Sequence, residues 1–160
     1  MRRLASTSTV ILLVGLGLWG MMAASREHEP PRTLGEVVTG DTAVAMILAR
    51  SCQDCHSDRT RWPWYGRIPP ASWLLNHDVA TARSHMDFSR WGQYSLDDKR
   101  EILTKMAAEL RTNQMPPGRY LLMHPNARLS ADKIALISAW TLSERHKLRM
   151  QASEGGNVTK

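Results

Sequence analysis

Cys52, Cys55 and His56 stand in the spacing C-x-x-C-H, and the two cysteines are the only ones in the 160-residue chain. Two thiols and an imidazole this close admit three chemistries. As a haem c attachment site, each thiol forms a thioether to one vinyl side of the porphyrin, and a turning backbone sets His56 under the iron as an axial ligand. As a thiol–disulfide exchange site, C-x-x-C is expected beside a βαβ pattern. As a zinc site, two cysteines and one histidine leave the fourth ligand unspecified. The first chemistry makes a redox carrier or sensor, and it asks what binds the other face of the iron.

Met115 is the leading candidate for that face. It opens Met115-Pro116-Pro117-Gly118, where proline restricts the local backbone and helps hold a thioether at a fixed distance from iron. The competing reading is a methionine that fills an apolar gap, ordinary in a chain with nine of them. Among the histidines, His124 follows Met123 in the same loop and is the strongest rival ligand. His77 and His85 fall on similar faces of one expected helix, where either can approach the haem edge. His28 and His146 read as solvated. A methionine tends to raise the reduction potential, and a second histidine lowers it.

Beside the cysteines lies Arg61-Trp62-Pro63-Trp64-Tyr65. Trp62 and Trp64 have faces broad enough to wall a porphyrin and N–H groups able to reach a propionate; the alternative is that they pack between helices. Arg59, Arg61 and Arg67 offer charge-assisted bonds to propionates, or are solvated.

The elements that must position these residues are helices. Asp41 is an expected N-cap for a helix through Cys52, with Val44, Ile47, Leu48 and Ser51 on one face. A proline- and tryptophan-rich loop covers 57–70. A second helix spans Ala71 to about Met86, and a third begins at Ser95, where Ser95 and Asp98 form a capping box and Ile102, Leu103, Met106 and Leu110 mark the buried face. Residues 113–129 cannot be helical throughout, with Pro116, Pro117 and Pro125. Ser130 caps a last helix carrying Ile134, Ile137 and Trp140. No strand alternation appears. The expected architecture is all-α, a cytochrome c-like bundle of about four helices around one covalent haem, filling residues 41–148 before a polar tail at 149–160 whose end frays.

The N-terminus points to export. Arg2 and Arg3 precede an uncharged apolar run, Val10 to Ala24, closed by small residues, so residues 1–25 form a signal peptide or membrane anchor and 26–40 a linker rich in proline and glycine. The expected location is the periplasm, soluble or held at the inner membrane. Losing Arg2 and Arg3 takes the formal charge from +6 to +4, since every acidic residue lies later. That charge is scattered rather than striped, which argues against nucleic acid; the expected partners are redox proteins.

In chain order these features resemble a class I cytochrome c: helix, haem motif, methionine loop, final helix. A closer resemblance is to the small bacterial haem-binding domain family, through Cys52-x-x-Cys55-His56-Ser57, Thr60-Arg61-Trp62-Pro63-Trp64-Tyr65, a tryptophan-containing helix, Phe88-Ser89, and Met115-Pro116 followed by His124-Pro125 and Leu129-Ser130. It covers about Leu48 to Trp140. Gly66 stands where serine is expected and Asp87 where asparagine is usual, and Pro117-Gly118 replaces a more apolar continuation. The resemblance implies covalent haem and electron transfer, and an iron with both faces taken by protein ligands leaves no room for substrate, so the expected protein is not an enzyme. The alternative is a peroxidase-like enzyme or ligand sensor with an open distal site.

Overall fold

The computed structural model describes residues 9–16 and 38–157. His28 and most of the signal and linker segments therefore lie outside the described residues. Within the described residues, 9–16 and Arg61–Leu75 form one compact unit, and 38–60 with 76–157 form another.

The second unit begins earlier than the linker reading expects, because Val38 and Thr39 are buried. Thr39 Oγ1 accepts the Asp41 N–H at 3.0 Å, and Asp41 Oδ1 in turn accepts from Ala43 and Val44 at 2.9 and 3.1 Å. That cap starts α1 (Thr42–Ser51), whose buried face includes the four positions the periodicity marks. Helix α2 (Ala71–His85) starts in the first unit and ends in the second. Helix α3 (Leu96–Arg111) opens with the capping box of Ser95 and Asp98. A short α4 (Gly118–Met123) and a 3-10 turn, Pro125–Ala127, break the proline-rich stretch, and α5 (Ala131–Asn157) follows.

Helices α3 and α5 pack along each other, and α1 packs against α5 and the Pro125–Ala127 turn. Val44, Leu48, Phe88, Leu103 and Ile137 are fully enclosed at the centre, with Cys52 packed against them. The fold is an all-α bundle, and no strand occurs among the described residues. Helix α5 continues through Gly155 and Gly156, where a frayed tail is expected from sequence. Phe88–Gln93 is a further 3-10 turn, built on Asp87, whose Oδ1 accepts the Ser89 N–H at 2.9 Å.

In the first unit, Trp64 meets Tyr65 edge to face at 5.8 Å. A Cβ at Gly66 would stand 3.2 Å from Leu75 Cδ1, so glycine allows a close approach that serine would push apart. Among the described residues, no helix is long and apolar enough to cross a membrane.

Candidate functional site

The C-x-x-C-H segment prolongs α1 by one turn. Cys52 N–H donates to Leu48 O at 3.0 Å, and His56 N–H donates to Cys52 O at 3.0 Å. With helical sense maintained, Cys52 and Cys55 sit three residues apart on one side. Side chains then tie the turn down. Ser57 Oγ donates to Gln53 O at 2.8 Å, Thr60 Oγ1 donates to Asp54 O at 2.7 Å, and Arg83 Nη2 donates to Thr60 Oγ1 at 2.9 Å.

His56 is held from the end of α2. Its Nδ1 lies 3.0 Å from Met86 O. A carbonyl can only accept, so Nδ1 carries the proton and Nε2 keeps the lone pair. Met86 O is free for this because it lies just past the last residue of α2, among carbonyls without intrahelical partners. The Phe88 N–H donates to His56 O at 2.8 Å, and the Phe88 ring lies against the imidazole at 6.2 Å. Burial lowers the pKa of His56; the carbonyls of Met86 and Ala82 oppose the shift, and nearby His85 adds to it. The ring is thus kept neutral, the form that binds metal.

The thiols are shifted the other way. Burial, with the neighbouring Cys55 sulfur, pushes Cys52 up to about 12. Burial, with Asp54 and Asp78 prevailing over Arg119 and Arg83, pushes Cys55 up to about 11. Both are free cysteines. Exchange cysteines need depressed pKa values, so this environment disfavours the thiol–disulfide reading. Zinc is disfavoured as well: no three His, Cys, Asp or Glu side chains among the described residues converge as a metal cluster would require.

The Met115 loop leaves α3 through a Schellman motif. Asn113 takes φ 54°, its N–H donates to Leu110 O, and the Gln114 N–H donates to Glu109 O at 3.0 Å. Met115 follows, 38% exposed. On α4, Arg119 makes a two-pronged ion pair with Asp78, Nε to Oδ2 at 2.9 Å and Nη2 to Oδ1 at 2.8 Å. Tyr120 donates its hydroxyl to Asp54 Oδ2 at 2.9 Å and stacks on His124 at 4.2 Å between centroids. The loop with both distal candidates, Met115 and His124, is therefore bonded to the haem motif itself. His77 and His146 are exposed; His85 sits beside Met86, on the segment that backs His56. Trp62 and Trp64 belong to the other unit, 42% and 52% exposed.

Three participants escape sequence reasoning. Met86 contributes a backbone atom, which leaves no sequence mark. Asp54 is one of the variable positions inside C-x-x-C-H. Arg83 reads as a surface residue of α2, yet its Nε is buried without an acceptor, as is Arg50 Nε before the motif.

These observations test the fit of a haem. Two reduced thiols lie on one turn, a neutral imidazole offers Nε2, and buried guanidinium donors lack the acceptors that propionates provide. The donor set fits. The family described as Haem-binding domain matches residues 11–143. This chain belongs to that family. The haem-binding protein is also 25% identical over 154 residues to the protein named Cytochrome c peroxidase Ccp of Escherichia coli (strain K12). That match takes in 89% of this chain and 33% of the relative, so the chain spans about a third of the length of the curated relative it matches. No solved structure matches it.

Proposed function

We propose that this haem-binding protein is a monohaem c-type cytochrome that passes single electrons in the periplasm, with His56 and Met115 as ligands on opposite faces of the iron. The observation that carries the reading is the His56 Nδ1–Met86 O bond, which fixes the tautomer and aims a lone pair away from α2. Cys52 and Cys55 would hold the group through thioethers, each S–H adding across one vinyl group, for which both thiols must be reduced. Bound haem supplies a one-electron iron couple whose potential the axial ligands set. Arg83 and Arg50 supply buried N–H donors suited to propionates. Two protein ligands leave no coordination position for a substrate, which favours a carrier over an enzyme. The apolar N-terminal segment supports export, with redox proteins as partners.

The test begins with oxidised and reduced spectra of the exported protein. Low-spin haem c with a weak sulfur-ligation band at the red end is expected, and Met115→Ala should abolish that band; its survival sinks the Met115 assignment. On a denaturing gel the haem stain should stay with the polypeptide, in the periplasmic or membrane fraction. A stain that leaves the chain, or a cytoplasmic band, counts against the reading.

A second reading, a peroxidase-like enzyme or ligand sensor, is favoured by the exposure of Met115 and by the name of the relative. It expects high-spin or exchangeable iron and rapid carbon monoxide binding to the reduced protein.

A further inference from the structure

We infer that Tyr120 and Arg119 are positioning residues for the iron's second ligand: they tie the loop that carries Met115 to Asp54 inside the haem motif and to Asp78 on α2. The inference deepens the Met115 reading and rests on it.

The loop is only lightly enclosed at this point. Helix α4 buries none of its residues and lacks a side-chain cap. Leu122 is 82% exposed. Firm anchors lie to either side, in the Schellman turn at Asn113 with buried Pro116, and in buried Ala127. Between them the chain is joined to distant elements by the Tyr120 and Arg119 bonds, which span 66 and 41 residues of sequence. Without such bonds a short helix with no buried face is free to lift, since its intrinsic stability is negligible.

The two bonds are unequal. Asp54 is buried, so the Tyr120 hydroxyl meets a carboxylate largely removed from water, where a charge-assisted bond is strong. Arg119 makes two bonds to Asp78, but its side chain is 60% exposed and the pair is screened by solvent. Tyr120 is therefore the main tie and Arg119 the lesser one. The tie reaches beyond one side chain. The His124 ring stacks on Tyr120, and its backbone N–H and Nδ1–H both donate to Tyr120 O, so the end of α4 moves with Tyr120.

The experiment uses the full-length holoprotein. Imidazole is added to the ferric form, and the rate at which it replaces the internal ligand is followed optically, alongside amide hydrogen exchange over residues 114–124. Tyr120→Phe should raise both rates about tenfold, and Arg119→Gln about threefold. Met115→Ala tests the underlying ligand reading alone. It should remove the sulfur band, speed imidazole binding, and cancel any further effect of Tyr120→Phe on that rate. If Met115→Ala changes neither spectrum nor rate, the ligand reading falls and the positioning role falls with it. If Met115→Ala behaves as expected while Tyr120→Phe leaves imidazole binding at the wild-type rate, only the positioning role is overturned, whether or not hydrogen exchange rises. Should Tyr120→Phe fail to accumulate as holoprotein, Arg119→Gln, on an exposed pair, and Asp54→Asn, which weakens the same bond from its acceptor end, decide the same question.

Discussion

Cys52 and Cys55 are only partly exposed, and their surroundings oppose ionisation. Their raised values, about 12 and about 11 against 9.0, make them poor nucleophiles at neutral pH. For Cys55, a rise of this size cuts the thiolate fraction at pH 7.5 about a hundredfold, so alkylation of the reduced, haem-free chain by iodoacetamide should be slower by about that factor than that of a model thiol. A rate equal to the model thiol's contradicts the buried environment. The same shifts link to stability. A folded-state pKa above the unfolded value means that the thiols favour folding fully below pH 9, and that this contribution drains as pH rises through 11 to 12. At this scale the thiol and imidazole turn was legible as a candidate site, since C-x-x-C-H is contiguous in sequence. The partners of His56 were not. A backbone carbonyl 30 residues away is placed by where α2 stops, and no side-chain type records that.

Helices were legible where their ends are controlled locally. Asp41 and Ser95 cap the helices they precede because a short polar side chain reaches backbone N–H groups two or three residues on, and the structure shows both. Ser95→Ala should therefore cost about 1 kcal/mol, read as a lower urea midpoint with unchanged slope. Leu103→Ala, which empties a fully enclosed position between α3 and its neighbours, should cost about 2–5 kcal/mol by the same measurement. If the cap variant proved the more damaging, α3 would depend on its end rather than its packed face. Less legible were elements held by distant partners. Helix α4 depends on Asp54 and Asp78, and the Phe88–Gln93 turn depends partly on Tyr94, whose hydroxyl accepts the Asp87 N–H at 3.0 Å. Periodicity carries no trace of either. Asp87 followed by Ser89 was a usable local signal, an aspartate two residues before the N–H that it caps.

At the scale of the whole bundle, a bound porphyrin would add to a core that leaves several large apolar side chains of the larger unit at the surface. In the larger unit the enclosed core is modest, while Met46, Met115, Leu122 and Met123 remain exposed, three of them in or beside the loop bonded to the haem motif. A domain of about a hundred residues can fold on its own core, and a bound porphyrin would enlarge that core. A haem bound only by the folded state would add to the enclosed core and stabilise that state at the expense of the unfolded chain. The holoprotein should thus melt at least about 10 °C above the Cys52→Ala/Cys55→Ala variant made without haem attachment, a shift that a few kcal/mol produces in a domain this small. Circular dichroism at the helical band measures both melts. Equal midpoints would mean that the bundle owes nothing to its cofactor, and that the exposed methionines and leucine need another explanation. A variant with no cooperative melt at all would put the dependence at its strongest, making haem attachment part of how this chain folds.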